Sequence, residues 1–186
     1  MTTSTIQLAT PDGSCTTEVV TPDGPGPWPA VILFFDAGGL RPAQTRIAER
    51  IAKDGYLVLQ PDLFHRSPPV STLVGGPVTL AAFAKVFQDP ALRAKFMAGY
   101  YQPALAYENL AKTVGAVLEH IAGRPDFRGR VGTTGYSLDA AHVRYAIEHY
   151  EAKHGYAVDD AEVYDPTAAG RHYAALAELY GETLNA

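Results

Sequence analysis

Cysteine, long apolar runs and a strong excess of one charge are all missing from this sequence. The chain of 186 residues contains one cysteine, which excludes a small secreted scaffold held together by disulfides. The longest apolar run, Ala30–Phe35, is far shorter than the ~20 residues of a membrane-spanning helix, and the first residues lack the basic, apolar and small-residue order of a signal peptide. The formal net charge of −5 argues against nucleic acid or an anionic membrane as the main partner. We therefore expect a cytoplasmic protein without a nucleic-acid or membrane partner.

The length favours a single domain spanning residues 1–186, because domains of roughly 100–200 residues are common and this chain is long enough to bury a core. The chain contains 17 Gly and 14 Pro, and both residue types favour tight turns. A sheet protein with many short connections is the expected result.

The first 60 residues predict a hairpin followed by a βαβ unit. Thr5–Ala9 and Cys15–Val20 alternate polar and apolar residues around the turn sequence Pro11-Asp12-Gly13, which is typical of a hairpin at a sheet edge. The continuous apolar run Ala30–Phe35 predicts a parallel strand buried on both faces. An amphipathic helix over Ala43–Lys53 and a second buried strand over residues 56–59 complete the unit.

The rest of the chain predicts further helices and one more strand. We expect a loop over Ser67–Pro77, helical segments from Val78 and over Pro90–Tyr100, a helix over Pro103–Ile121, a third buried strand over Arg130–Tyr136 and a terminal helix over Pro166–Leu184. In the helix over Pro103–Ile121 the residues expected to face the core are Leu110, Val114, Val117, Leu118 and Ile121. In the terminal helix those expected to point inward are Tyr173, Leu176, Leu179 and Tyr180. Residues 142–151 fit the period of a strand and of a helix, and periodicity does not separate the two.

The sequence Gly135-Tyr-Ser-Leu-Asp139 stands where the third strand ends. It is similar to the Gly-x-Ser-x-Gly nucleophile elbow, in which a sharp turn exposes the serine hydroxyl and aims the next backbone N–H at a developing oxyanion. Asp139 replaces the last glycine of that motif. A serine after a strand is also a common helix N-cap or turn residue, so the pentapeptide alone leaves both interpretations open.

His154 lies in the segment before the terminal helix, where a general base could accept a proton from a serine. The five other histidines are interpreted as surface or packing residues. His149 and His154 lack the additional ligands of a zinc site, and no glycine-rich loop has the spacing that cradles phosphates. We expect no metal and no cofactor.

Taken together, four segments resemble the dienelactone hydrolase family. They are residues 31–42 (VILFFDAGGLRP), 55–66 (GYLVLQPDLFHR), 130–137 (RVGTTGYS) and 150–156 (YEAKHGY). The resemblance implies an α/β-hydrolase-like three-layer sandwich, with a mostly parallel sheet, an N-terminal hairpin and fewer strands than the family's full fold.

The resemblance also implies roles for individual residues. Ser137 would be the nucleophile and His154 the base, and the backbone N–H groups of Ala37 and Leu138 would donate to the oxyanion. Two further residues are implied in substrate binding: Asp36, an acidic residue beside the nucleophile, and Arg66, which matches an arginine that holds a substrate carboxylate. Without the resemblance, Arg66 is equally well interpreted as a solvated loop cation.

Two features depart from the family pattern. Only 17 positions separate Ser137 from His154, so the stretch that holds the family's triad Asp is absent and the triad acid is unknown. We assign that role to none of the nearby acids, which are Asp139, Glu151, Asp159 and Asp160. Val158 occupies the position of a second arginine in dienelactone hydrolases proper, which weakens any case for dienelactone itself.

The sequence therefore supports two functions. One is a serine hydrolase of a small carboxylic ester or lactone. The other is a catalytically impaired form of the same fold that acts as a binding or oligomerising module, because sheet edges exposed by the missing stretch favour pairing with a second copy of the chain. If residues 139–151 are helical, His154 would lie roughly 20 Å from Ser137 at a rise of 1.5 Å per residue, and catalysis within one chain would fail.

Overall fold

The computed structural model describes residues 1–76, 79–136, 151–153 and 155–184. Its elements in chain order are β1 (Thr2–Thr10), β2 (Gly13–Thr21), β3 (Trp28–Phe34), α1 (Pro42–Lys53), β4 (Leu57–Pro61), α2 (Val70–Val74), α3 (Leu80–Gln88), α4 (Pro90–Phe96), a π-helical turn (Met97–Tyr101), α5 (Gln102–Leu105), α6 (Tyr107–Ala122), β5 (Phe127–Gly135) and α7 (Pro166–Leu184). Among the described residues, no helix is long and apolar enough to cross a lipid bilayer.

The five described strands form one sheet in the order β1-β2-β4-β3-β5. The N-terminal hairpin pairs antiparallel from Thr2 opposite Thr21 to Thr10 opposite Gly13, and β2 continues antiparallel onto β4. The central strands β4, β3 and β5 are parallel. The predicted edge hairpin and βαβ unit are confirmed.

Helices cover both faces of this sheet because β3 is apolar at every position. Ala30 and Ile32 pack with Val117 and Ile121 of α6 on one face. Val31 and Leu33 lie on the other face, against α1 and the tyrosines of α7. This alternation is the period of two expected for a strand, and the result is the predicted three-layer α/β arrangement.

Helix α1 ends as the sequence indicates. Gly55 follows the C-cap residue Asp54 and has φ +90°, a left-handed conformation that glycine adopts without steric cost. The N–H of Gly55 donates to Ala52 O at 3.0 Å. The chain therefore reverses in two residues and enters β4 directly.

Three sequence predictions for the middle of the chain need correction. The expected loop over residues 67–77 contains the short helix α2. The helix expected from Pro103 begins at Tyr107, since Ala106 is extended (ψ 126°) and separates α5 from α6. On α6 Val117 and Ile121 are buried as predicted and Thr113 is buried with them, whereas Leu118 is 41% exposed, because the helix contacts the sheet along a narrower stripe than its apolar residues suggested.

The third strand is also less buried than predicted. β5 spans Phe127–Gly135, and Thr134 is its one buried residue. It pairs with β3 on one side, and no described strand pairs with its other side. A strand with one neighbour keeps much of its surface exposed, whatever its composition. The ambiguous residues 142–150 lie outside the described residues, whereas the terminal helix is confirmed with Tyr173 and Tyr180 buried.

Candidate functional site at the carboxyl edge of the sheet

A tight turn follows β3 at the carboxyl edge of the parallel strands. The N–H of Gly39 donates to Asp36 O at 3.1 Å, and the N–H of Gly38 donates to Asp36 Oδ1 at 2.8 Å. Gly39 has φ +75°, and a Cβ on Gly38 would lie 2.8 Å from Arg41 Nη1. Both glycines are therefore required by the turn, which we call the Asp36–Gly39 turn.

Every carboxylate oxygen of Asp36 accepts hydrogen bonds within this turn and the start of α1. Arg41 donates from Nη1 to Oδ1 at 2.6 Å and from Nη2 to Oδ2 at 2.8 Å. Gln44 Nε2 donates to Oδ2 at 2.9 Å. This bidentate pair and its two supporting donors fix the side chain of Asp36 in one orientation.

Arg41 also holds a second carboxylate, 119 residues further along the chain. Its Nε donates to Asp160 Oδ2 at 2.8 Å and its Nη2 to Asp160 Oδ1 at 3.2 Å. Burial by itself lowers the pKa of Arg41, but the hydrogen bonds to Asp36 and Asp160 outweigh it and raise the pKa above its ordinary value. The guanidinium remains charged and joins the Asp36–Gly39 turn to the loop that contains Asp160.

The loop over residues 155–165, which we call the His154-flanking loop, packs on the start of α1. Asp159 pairs with Arg46, and the hydrogen bonds lower the pKa of Asp159. Tyr173 Oη donates to Ala157 O at 3.3 Å, which anchors the loop on α7. The loop that follows His154 therefore lies at the same edge of the sheet as Asp36.

The end of β5 reaches this edge as well. Phe34 is paired with Gly135, and the N–H of Tyr136 donates to Phe34 O at 3.1 Å. The hydroxyl of Tyr136 lies 3.1 Å from His172 Nε2 beneath the sheet edge, and burial raises the pKa of Tyr136 well above its usual range. His172 was predicted to be a surface or packing residue, and it packs here among Tyr136, Tyr156 and Tyr173.

The structure places some of the predicted site residues and not others. Ser137, Leu138 and His154 lie outside the described residues. Ala37 is the second residue of the Asp36–Gly39 turn, and among the described residues no acceptor faces its backbone N–H. The described segments end at Tyr136, directly before Ser137, and flank His154 at Lys153 and Gly155.

Arg66 lies beside the hairpin turn that contains Asp12. Its Nε and Nη2 donate to the two carboxylate oxygens of Asp12 at 3.0 and 2.7 Å, and its Nη1 donates to Thr113 Oγ1 at 2.9 Å. Lys112 pairs with the same aspartate at 3.1 Å. The hydrogen bond from Arg66 holds the pKa of Asp12 well below its usual range. In this structure the guanidinium of Arg66 is therefore already occupied by Asp12.

An aromatic cluster from the turn after β4, the end of α4 and the π-helical turn lies beside the Asp36–Gly39 turn. Phe64 and Tyr100 stack with ring centroids 4.2 Å apart and an interplanar angle of 2°, and Phe96 packs against Tyr100 at 5.2 Å. Ala37 packs against this aromatic cluster. A molecule bound at the Asp36–Gly39 turn would thus meet an apolar wall with one phenol in it.

The sequence patterns did not identify Arg41, Asp160 or Tyr100 as part of the site. Arg41 had one available signal, since it follows the Gly38-Gly39 pair and precedes the first turn of a helix. The other two are brought to the edge by tertiary packing alone. Within residues 1–76, 79–136, 151–153 and 155–184, no cluster of three His, Cys, Asp or Glu side chains could hold a metal ion.

Comparison with known proteins agrees with this architecture. The model of the dienelactone hydrolase family matches residues 16–138, more than half of the chain. A putative dienelactone hydrolase from Klebsiella pneumoniae subsp. pneumoniae MGH 78578 has a similar solved structure, with 15% identity, a TM-score of 0.65 and coverage of 97% of this chain and 98% of that one.

A second solved structure, described as m3DLH, has 17% identity and a TM-score of 0.60 and covers 98% of both chains. No curated protein matches the sequence. At these identities the two solved structures show only that the fold is shared, whereas the match to the family model shows family membership. The chain belongs to the dienelactone hydrolase family, a hydrolase family of the α/β-hydrolase fold.

Proposed function

We propose that this protein hydrolyses small carboxylic esters or lactones through an acyl-enzyme intermediate on Ser137. The observation that supports this most is the convergence of three segments at one edge of the sheet. They are the Asp36–Gly39 turn, the end of β5 directly before Ser137, and the His154-flanking loop tied to Asp36 through Arg41. A nucleophile, a base and an oxyanion donor need that convergence.

In the proposed reaction Ser137 Oγ attacks the acyl carbon while His154 accepts the hydroxyl proton. The carbonyl oxygen becomes negative, and the backbone N–H groups of Ala37 and Leu138 donate to it. His154 then returns the proton to the departing alkoxide, leaving the acyl group on Ser137. Water attacks the acyl-enzyme by the same steps, which releases the acid and restores the serine.

The triad acid remains unassigned in this proposal. Asp159 and Asp160 both form ion pairs, with Arg46 and Arg41 respectively, so neither carboxylate is free to orient an imidazole. In serine proteases, loss of the orienting acid lowers kcat by about 10⁴-fold, and a residual rate of roughly 10³-fold over water persists without triad members. We therefore expect slow turnover.

Arg66 enters the proposal as the residue that binds a substrate carboxylate, but only if that carboxylate displaces Asp12 from the pair described above. Asp36 enters it as the residue that shapes the oxyanion turn, since its oxygens already accept from Arg41, Gln44 and Gly38. An uncharged ester, which needs no such displacement, is the substrate that fits the described edge better.

The test compares p-nitrophenyl acetate hydrolysis and fluorophosphonate labelling in the wild type, Ser137→Ala and His154→Ala. We expect both variants to lose about 10²-fold in kcat/KM, which is what remains of a triad contribution of roughly 10⁶-fold when the orienting acid, worth about 10⁴-fold, is missing. Ser71→Ala on the exposed face of α2 and His120→Ala near the end of α6 are the matched controls, and both should retain wild-type rates.

Equal hydrolysis by the wild type and both site variants would refute the proposal. The impaired form that binds or oligomerises would then be the better interpretation. The edge of β5 on which no described strand lies gives that alternative a surface on which a second chain could pair.

A further inference from the structure

Tyr100 carries a hydroxyl that the proposed reaction does not use. The residue is 7% exposed, and its ring is fixed between Phe64, which stacks on it in parallel, and Phe96, which packs at 34°. It belongs to the π-helical turn Met97–Tyr101 between α4 and α5, and such turns are often found at functional sites. The ring therefore has little freedom to turn its hydroxyl elsewhere.

This hydroxyl lies over the Asp36–Gly39 turn. A Cβ on Gly39 would be 4.0 Å from Tyr100 Oη, and Ala37 packs against the cluster to which Tyr100 belongs. Burial, followed by the negative charges of Asp62 and Asp36, raises the pKa of Tyr100. The phenol consequently keeps its proton near neutral pH and remains a hydrogen-bond donor.

Among the described residues, Tyr100 Oη has no hydrogen-bond partner. The one polar contact of this residue outside the helix is on its backbone oxygen, which accepts from Ser67 Oγ at 3.4 Å. The oxygen is not among the fully buried unpaired side-chain atoms, so it is accessible at the edge and can donate to a molecule that the site receives. The backbone N–H of Ala37 is likewise unpaired among the described residues and belongs to the same turn.

We propose that Tyr100 is a catalytic residue whose hydroxyl donates a hydrogen bond to the acyl oxygen of the ester, beside the N–H of Ala37. This inference rests on the proposed ester hydrolysis and names one further donor for it. Tyr100 keeps its proton throughout, so no bond of the phenol breaks, and the interaction strengthens as charge develops on the oxygen.

The test is Tyr100→Phe, which removes the hydroxyl and retains the ring that stacks on Phe64. Removal of one oxyanion donor costs about 10²–10³-fold in kcat in a protease, and we expect a loss of roughly 10–10³-fold in kcat with KM changed less than about 3-fold. The matched control is Tyr101→Phe, whose ring packs on Phe96 and should leave kcat unchanged. Fluorophosphonate labelling of Tyr100→Phe should slow in parallel, because the phosphonyl oxygen would occupy the same position.

The outcomes separate this inference from the proposed function. If the wild type hydrolyses the ester and Tyr100→Phe keeps the same kcat and labelling rate, Tyr100 is a packing residue and the inference is wrong. If both tyrosine variants lose activity equally, with lower thermal stability, the effect is structural and the inference also fails. If the wild type itself neither turns over nor labels, the proposed function and this inference fall together.

Discussion

Gly132 shows how one missing side chain lets α7 approach β5. A Cβ at this position would lie 2.9 Å from Leu184 Cδ1 and 3.3 Å from Tyr180 Cε1. The helix is held in place by Tyr180 Oη, which donates to Thr133 O at 3.2 Å. The close contact of helix and strand thus favours glycine here, because a Cβ would displace the ends of the Leu184 and Tyr180 side chains.

Gly132→Val should therefore destabilise the protein, by about 1–3 kcal/mol in the free energy of unfolding, since overpacking forces helix and strand apart. Urea denaturation monitored by circular dichroism measures the change. Gly129→Val is the matched control on the same strand, because nothing lies within 4 Å of a Cβ there. A control as destabilised as Gly132→Val would show that strand propensity, rather than the α7 contact, sets the cost.

At this scale the sequence indicates residue types but not their partners. The resemblance drew attention to Asp36 and Arg66, and both lie at the predicted edge. The pairs of Arg66 with Asp12 and of Arg41 with Asp160 could not be predicted, because they join residues 54 and 119 positions apart. Pairings of that range depend on the completed fold rather than on local pattern.

Among the elements, α1 connects the two halves of the candidate site. Arg41, the N-cap residue of α1, and Arg46, in its second turn, each hold one aspartate of the His154-flanking loop, and Arg41 holds Asp36 as well. The Arg41–Asp36 and Arg46–Asp159 ion pairs differ in solvent exposure. The side chains of Arg41 and Asp36 are 23% and 18% exposed, whereas that of Arg46 is 50% exposed.

Arg41→Ala should lower the free energy of unfolding by about 1–3 kcal/mol, because Asp36 would lose its charged partner while partly buried. It should also lower kcat for p-nitrophenyl acetate by about 10–100-fold, since a displacement of about 1 Å in a positioned group can cost 10²-fold. Steady-state kinetics and thermal unfolding of the same preparations measure both effects.

Arg46→Ala is the control, because an exposed ion pair contributes about 0–1 kcal/mol. We expect near-wild-type stability and kcat for it. If Arg41→Ala has the same stability and kcat as Arg46→Ala, the ion pairs that link the turn to the loop do not contribute to activity.

The elements themselves were predictable wherever burial is uniform and the ends carry turn residues. β3 and β4 satisfy both conditions, and α1 has one regular apolar face and ends at a turn glycine, so the sequence located all three closely. β5 and α6 do not, because the burial of a strand or helix face depends on what packs against it. For that reason periodicity could not predict that Leu118 is exposed or that β5 is the last of the described strands in the sheet.

For the molecule as a whole, the described histidines predict a loss of stability in mild acid. Burial, followed by a nearby arginine, lowers the pKa of His65, His120 and His172. A histidine whose pKa is lower in the folded state binds its proton more tightly when unfolded, so its effect is absent above the unfolded pKa of about 6.5 and grows as the pH falls below it. Glu18 and Asp62 oppose this trend, since burial raises the pKa of both carboxyl groups.

His172→Gln should reduce this acid sensitivity, because the ring lies among Tyr136, Tyr156 and Tyr173 and cannot gain a proton without burying a charge. Melting temperatures between pH 7 and 5 measure the effect. We expect a shallower decline for the variant than for the wild type, and parallel curves would contradict the assignment.

The pairing of Arg41 with both Asp36 and Asp160 also has a consequence for the order in which the site forms during synthesis. Asp36, Ala37 and Arg41 emerge from the ribosome early, but Asp160 follows 119 residues after the arginine. Until residue 160 is translated, only Asp36 is available to pair with the guanidinium, and the ion pair with Asp160 can form only afterwards. The Asp36–Gly39 turn is therefore held by both carboxylates only after residue 160 has been made, later than the last described strand of the sheet.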